Sequence, residues 1–275
     1  MRPPDPVEVL KLFPEERAQL LQLLTGLRPD QWALPTVCPG WSVKDIALHL
    51  LGDDLGRLSR GRDQFLSPVQ PEADETIVEF VNRLNELWVT ATRRLGPRVL
   101  CDLLRVTGEW MLEYFGTLDL NALGGPVSWS GPEPAPVWLD VAREYTERWH
   151  HHQQIRDALG APGLFETRLF APVLATFVRA LPHTFRNVDA ADGSTVHLRI
   201  TGQAGGEWSI SREDGQWHLY SGAADPPSAQ VSIDQAVAWR LFTKGLSPEE
   251  AEQSCMIQGD YRLARHVLQM VSVIA

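Results

Sequence analysis

The feature of the sequence that most constrains the fold is a change in hydrophobic periodicity near residue 163. In the first part, apolar residues recur three or four positions apart, as at Ile46 and Leu50, which is typical of amphipathic helices. In the second part, apolar and polar residues alternate, which is typical of strands with one buried face. The alternating apolar positions are Val196, Leu198 and Ile200, then Trp208 and Ile210, then Trp217 and Leu219, then Val231 and Ile233.

The first part is divided by Pro- and Gly-rich loops, and Pro14, Gly26 and Gly160 stand at predicted helix ends. Ser42 is a predicted N-cap, with Asp45 three residues later as its capping-box partner. Long amphipathic helices joined in this way pack most naturally as an up-down bundle. The predicted helical segments are 14–27, 42–63, 73–95, 98–123 as one or two pieces, and 137–159.

The second part combines strands and helices. Asp214-Gly215 lies between two alternating runs and is a strong signal for a tight hairpin. Helices are predicted near 168–187, 234–244 and 260–273, which together with the strands give an α+β unit. We therefore expect a two-domain protein, with a helical bundle over 1–163 and a smaller α+β domain over 164–275.

Charge and cysteine usage exclude several classes of protein. The net charge of −10, without any Lys/Arg cluster, argues against binding nucleic acid or anionic membranes. No apolar run has the length of a signal peptide or a membrane span, so we expect a cytoplasmic protein. Cys38, Cys101 and Cys255 form no CxxC pair, and we expect them to be small buried or half-buried side chains.

The segment EYTERWHHHQQIRDAL places three consecutive histidines inside a predicted helix. Residues four apart share a helix face, so Glu147 and His151 project together, while His150 and His152 point about 100° to either side. We expect these two to be polar surface residues or residues that only support the ligands. His49 interrupts the apolar run IALHLLG and can supply a third ligand from another helix. The alternative is that His49 is a hydrogen-bonded core histidine and that the other three lie on the surface. Spacing alone leaves both interpretations open.

Two motifs resemble one known family. The segments CPGWSVKDIALHLLG and EYTERWHHHQQIRDAL resemble the metal-binding half of the mycothiol-dependent maleylpyruvate isomerase family, within the DinB-like four-helix bundles. The segment after residue 195 looks like the sterol-carrier-protein-like domain that often follows that bundle. Gln154 stands where the family often has aspartate. The matching residues are Cys38, Pro39, Gly40, Trp41, Ser42, Val43, Asp45 and His49, then Glu147, His151, Ile155 and Arg156.

The resemblance implies a metal site formed by His49, Glu147 and His151. Two imidazole nitrogens and one carboxylate oxygen suit Zn²⁺, with Ni, Mn or Fe also possible, and three protein ligands leave one coordination position open. A thiol bound there loses its proton and becomes a nucleophile, whereas bound water would give a hydrolase. The family uses a low-molecular-weight thiol, such as mycothiol, as a cosubstrate.

The resemblance also suggests further site residues. Trp41 is a candidate pocket wall and Arg57 a candidate for binding thiol or substrate, with packed core and solvated helix end as the alternatives. Because the family's second domain contributes a basic residue, Arg240 and Lys244 are candidate catalytic residues. We expect a metal-dependent S-transferase or thiol-assisted isomerase acting on a small molecule. A metal-dependent hydrolase and a non-enzymatic small-molecule binder are the alternatives.

Overall fold

A computed structural model describes residues 1–224 and 226–273. The chain forms two compact units. The helical unit consists of Val9–Asp119 and Glu144–Leu164, and the mixed unit consists of Met1–Glu8, Leu120–Arg143 and Phe165–Ala275. The predicted boundary between 163 and 164 places 1–8 and 120–143 with the bundle, whereas here these segments make their contacts within the mixed unit.

The first, second and fifth helices lie close to the predicted positions, whereas the segment predicted over 73–95 begins at Ile77 and the one predicted over 98–123 ends at Gly116. The Ser42–Asp45 capping box is present: the backbone N–H of Asp45 donates to Ser42 Oγ, and that of Ser42 donates to Asp45 Oδ2 at 2.9 Å. A π-helical turn, Leu58–Arg62, continues the second helix. The helices are α1 Phe13–Thr25, α2 Val43–Arg57, α3 Ile77–Thr92, α4 Pro97–Gly116 and α5 Val137–Leu159, whose first residues, to Arg143, belong to the mixed unit.

Helix α2 lies at the centre of the helical unit. Its apolar residues are buried on several sides, because α3 and α4 pack against it and α1 contributes to the same hydrophobic core. Gly52 allows a close contact with α3, since a Cβ atom at this position would lie 2.6 Å from the Trp88 ring. The Trp88 indole N–H donates to the carbonyl of Leu48. A histidine on α2 is therefore held in the interior of the unit.

The mixed unit is built on a five-stranded sheet in the order β3-β2-β1-β4-β5. Strands β1 and β4 are parallel, and the other neighbours are antiparallel. The predicted hairpin is confirmed: Asp214 and Gly215, with φ of 50° and 77°, join β2 to β3. The strands are β1 Thr195–Thr201, β2 Gly206–Glu213, β3 Gln216–Ser221, β4 Ala229–Asp234 and β5 Cys255–Gly259.

The helices of the mixed unit differ in part from the predicted ones. The segment predicted over 168–187 is broken by a 3-10 turn at Val178–Ala180, and the last helix ends at Val267. Two elements were not predicted, a short helix at Pro248–Glu252 and the edge strand β5. Strand β5 has no fully buried side chain, and its apolar residues do not alternate with polar ones. The helices are α6 Thr167–Phe177, α7 Leu181–Phe185, α8 Gln235–Phe242, α9 Pro248–Glu252 and α10 Tyr261–Val267.

The fold class expected from the sequence is confirmed, since a helical N-terminal region is followed by a mixed sheet with helices. Among the described residues, no helix has both the length and the apolar character needed to cross a membrane.

Candidate metal centre

The three predicted metal ligands lie close together in the helical unit. His49 on α2 faces His151 on α5, with their Nε2 atoms 3.1 Å apart and their rings nearly perpendicular. The carboxylate of Glu147 approaches from one turn earlier on α5, with Oε2 3.7 Å from His151 Nε2. Residues remote in sequence thus bring a second imidazole nitrogen and a carboxylate oxygen to within 4 Å of His151 Nε2.

Both imidazoles are held in the neutral form. Burial lowers the pKa of His49 to about 4, and the positive charge of Arg148 acts in the same direction. Burial and the neighbouring His49 lower the pKa of His151 to about 3, although the hydrogen bond that His151 donates to Gln154 acts in the opposite direction. A neutral imidazole has a lone pair for a metal ion, so these pKa values favour metal binding at neutral pH.

Gln154 determines which nitrogen of His151 carries the proton. The Oε1 atom of Gln154 lies 2.8 Å from His151 Nδ1, and this oxygen can only accept, so Nδ1 donates and Nε2 keeps its lone pair toward His49. The thiol of Cys38 also donates to Gln154 Oε1, at 3.4 Å. Gln154 therefore orients a candidate metal ligand.

The two flanking histidines are not on the surface. His150 is 7% exposed and lies 3.0 Å from the side-chain amide of Gln154, through its Nε2 atom. His152 is fully buried between Glu16, 2.9 Å from its Nδ1 atom, and Arg156, which donates to its Nε2 atom. The prediction that these two residues lie on the surface is wrong. Both are buried, and hydrogen-bond partners on α1 and α5 replace the water that their ring nitrogens would otherwise contact.

Asp53 contacts a predicted metal ligand and was not among the candidate residues in the sequence. Its Oδ2 atom lies 3.2 Å from His49 Nε2, one turn further along α2. The signal was available, because His49 and Asp53 are four residues apart, the same spacing as Glu147 and His151. We refer to His49, Asp53, Glu147, His151 and Gln154 as the histidine cluster.

The histidine cluster has the donor chemistry of a metal site, but its present spacing is not that of a loaded one. Within 1–224 and 226–273, no group of three or more His, Cys, Asp or Glu side chains already has an arrangement that could hold a metal ion. Two nitrogens bound to one tetrahedral zinc are about 3.3 Å apart. The Nε2 atoms of His49 and His151, at 3.1 Å, would have to separate slightly, and Glu147 would have to move closer.

A second polar cluster lies beside the histidine cluster, and we call it the ion network. The carboxylate of Asp54 accepts hydrogen bonds from Arg17, Arg148 and the hydroxyl of Thr107, at 2.7 to 3.1 Å. Arg148 also donates to Glu144 at 2.8 Å. All five side chains are buried. The ion network thereby joins α1, α2, α4 and α5, and it fixes α2 relative to α5.

Of the two candidate binding residues, Trp41 lies at the site. Its ring centroid is 5.2 Å from that of His49, and its indole N–H donates to Glu86. Trp41 is half-buried and therefore suits the role of a pocket wall. Arg57 is two turns beyond His49 along α2, about 12 Å by helix rise, with its guanidinium over the ring of Phe115.

The two candidate catalytic residues belong to the mixed unit. Arg240, on α8, stacks over the ring of Trp239 and donates to the carbonyl of Ala236. Lys244 follows the end of α8 with a φ of 61°. Two open pockets, of about 350 and 340 Å³, are lined by residues of the mixed unit alone, so neither contains a member of the histidine cluster.

Comparison with known proteins gives consistent results. The sequence profile described as "Mycothiol maleylpyruvate isomerase N-terminal domain" matches residues 13–156. The chain is 28% identical over 215 residues to an uncharacterised protein of Mycobacterium tuberculosis, in strains CDC 1551 / Oshkosh and ATCC 25618 / H37Rv, covering 76% of this chain and 79% of the relative.

A solved structure shares the fold. The crystal structure of the mycothiol-dependent maleylpyruvate isomerase superposes with a TM-score of 0.50 at 14% identity, covering 84% of this chain and 86% of that one. Since the family profile covers more than half of the sequence, the chain belongs to the mycothiol maleylpyruvate isomerase N-terminal domain family.

Proposed function

We propose that this protein is a divalent-metal-dependent enzyme that uses a low-molecular-weight thiol, either as an S-transferase or as a thiol-assisted cis-trans isomerase. The observation that carries the proposal is the convergence of His49 Nε2, His151 Nε2 and the Glu147 carboxylate. Family membership supports the use of a thiol as cosubstrate. The family is named for mycothiol, and the similar solved structure is that of a mycothiol-dependent maleylpyruvate isomerase.

Each residue of the histidine cluster has a role in this proposal. His49 and His151, neutral because they are buried, would bind Zn²⁺ or a related dication together with Glu147, and Gln154 would keep His151 in the required tautomer. When bound, the dication would supply the positive charge that favours a thiolate over a thiol at neutral pH. Trp41 would provide an apolar wall for the thiol or the substrate.

The ion network has a supporting role. It consists of side chains that are paired with one another, and it holds α2 and α5 at a fixed spacing. His49 and His151 lie on these two helices. Because their relative positions are already fixed, a ligand can bind without first ordering these side chains. Arg57, Arg240 and Lys244 remain candidates for binding substrate carboxylates. A thiol enzyme of this kind would work in the reducing cytoplasm, as the free cysteines suggest.

A metal-dependent hydrolase is the second candidate, and one observation favours it. Hydrolysis needs a group that can accept a proton from water near the metal. The carboxylate of Asp53, 3.2 Å from His49 Nε2, is such a group. The two candidates differ in whether turnover needs a thiol.

The test is an activity assay of the zinc-loaded protein with and without thiols. We expect turnover of maleylpyruvate, or S-transfer to a model electrophile, only when mycothiol or another small thiol is added. His49→Ala should lose at least 100-fold of this activity, while His218→Ala, at an exposed position on β3, should match the wild type. Hydrolysis of esters or amides without thiol would instead favour the hydrolase, and full activity of His49→Ala would refute both.

A further inference from the structure

The two central helices of the site present the same pair of side chains. Helix α5 offers a carboxylate and an imidazole four residues apart, Glu147 and His151, and α2 offers the same two groups at His49 and Asp53. From these positions we infer that Asp53 is a fourth metal donor, so that the bound ion has two nitrogen and two oxygen ligands from the protein. This inference rests on the proposed function, because it extends the same site.

The decisive detail is which ring nitrogen each supporting side chain approaches. Gln154 contacts His151 at Nδ1, the nitrogen that faces away from His49, and this is how side chains that merely orient a ligand are placed. Asp53 contacts His49 at Nε2, the nitrogen that faces His151. The carboxylate of Asp53 therefore lies on the metal side of the imidazole.

Metal binding changes what Asp53 can contact. In the metal-free protein, a proton on His49 Nε2 can be shared with Asp53 or with His151, and only one of these bonds can form at a time. Once an ion takes the place of that proton, Asp53 loses this donor while remaining next to the ion. An anionic oxygen so close to a dication becomes a ligand unless the side chain rotates away.

This assignment has two consequences for the site. With two carboxylate oxygens, the site should favour harder ions such as Mn and Fe more than a site of two imidazoles and one carboxylate would. A thiol must then enter either as a fifth ligand or by displacing a protein ligand. Asp53, which is 30% exposed and so less buried than Glu147 or His151, is the ligand most easily displaced.

A gain of signal can test whether Asp53 reaches the ion. Cobalt(II) replaces zinc in sites of this type, and a thiolate bound to it gives an intense near-ultraviolet charge-transfer band. The variants are Asp53→Cys and, as the matched control, Asp63→Cys, in which the replaced aspartate is exposed and pairs with Arg62. A third variant, Asp53→Asn, keeps the shape of the side chain but removes its charge, and its zinc affinity is measured by calorimetry.

We expect the charge-transfer band in cobalt-loaded Asp53→Cys and not in wild type or Asp63→Cys, together with zinc binding at least about 10-fold weaker in Asp53→Asn. If wild type binds cobalt but Asp53→Cys shows no band and Asp53→Asn binds zinc as tightly as wild type, the inference is wrong while the proposed function stands. If wild type binds neither zinc nor cobalt, both the inference and the proposed function fail.

Discussion

The ion network and the histidine cluster both have residues on helices α2 and α5, yet their buried charges are arranged differently. In the ion network, Asp54 is fully buried and every charged group has a partner of opposite sign. Although burial would raise the pKa of Asp54, the charges of Arg17 and Arg148 hold it below its usual value. This region is electrostatically complete and needs no ligand.

The histidine cluster differs in its chemistry. Its two imidazoles are neutral, because burial lowers the pKa of both, and they direct their Nε2 atoms at each other with the carboxylates of Asp53 and Glu147 beside them. Neutral imidazole nitrogens and carboxylate oxygens are the donors that a dication of the proposed kind takes. Under the proposed function, the neighbouring residues Asp53 and Asp54 would therefore serve a ligand and the fold, respectively.

The largest expected effect is a loss of stability when the ion network is disrupted. Replacement of Asp54 by Asn removes the charge shared by two buried arginines, and we expect a loss of about 3 to 5 kcal/mol in the free energy of unfolding. Urea denaturation measures this loss, with Asp63→Asn at an exposed position as the matched control. A change below about 1 kcal/mol would show that the ion network does not support the fold.

The second prediction concerns pH in the metal-free protein. Unfolded histidines titrate near 6.5, whereas His49 and His151 titrate at about 4 and about 3 in the folded state. The unfolded state binds more protons between these values, so stability is complete above about pH 6.5 and decreases as the pH is lowered toward 4 and then 3. For His49 alone the loss is on the order of 3 kcal/mol.

Chemical denaturation between pH 7 and pH 4.5 checks this dependence, with His49→Gln as the comparison. The wild-type slope should exceed that of His49→Gln by about one proton near pH 5. Arg148, Asp53 and His151 lie around residue 49 in both proteins, so most of their own contributions to the slope cancel. Parallel profiles for the two proteins would contradict the assignment of a low pKa to His49.

The third prediction is that a change in the histidine cluster alters zinc affinity but leaves the ion network intact. His151→Ala removes a ligand but no member of the ion network, so zinc affinity should decrease at least 100-fold while the urea midpoint of the metal-free protein changes little. Calorimetric titration with zinc measures the first quantity, and His218→Ala serves as the control. Unchanged zinc affinity in His151→Ala would remove the histidine cluster from consideration as the metal site.

The smallest expected effect comes from Thr107, which is buried and donates its hydroxyl hydrogen to Asp54 at 2.7 Å. Thr107→Val keeps the shape of the side chain and removes one hydrogen bond to a charged acceptor, with an expected loss of about 1.5 to 3 kcal/mol. Zinc affinity should stay the same. Thr90→Val, at an exposed position on α3, is the control, and a change in zinc affinity without a loss of stability would reverse the roles assigned to the two clusters.

The sequence predicted much of the fold because the relevant signals are local. The capping box at Ser42 fixes the start of α2, and the Asp214-Gly215 hairpin follows from residues that tolerate positive φ. The edge strand β5 carries no such signal, because none of its side chains is fully buried and its three apolar residues, Cys255, Met256 and Ile257, are consecutive in the sequence.

The candidate site could be predicted only in part, because its supporting contacts are not local. Spacing and family motifs together identified His49, Glu147 and His151, and the same spacing rule applied to α2 would have added Asp53. No pattern within α5 indicates that His152 meets Glu16 of α1, or that Arg148 meets Asp54 of α2. Buried polar residues look like surface residues in a sequence, since their partners become neighbours only after packing.

The most direct test of the central claim is anomalous diffraction from crystals of the zinc-loaded protein. We expect a single zinc ion within about 2.0 to 2.2 Å of the Nε2 atoms of His49 and His151 and of a carboxylate oxygen of Glu147. At saturating zinc, a map without an anomalous peak between the two imidazoles, or with zinc held only by other residues, would contradict it.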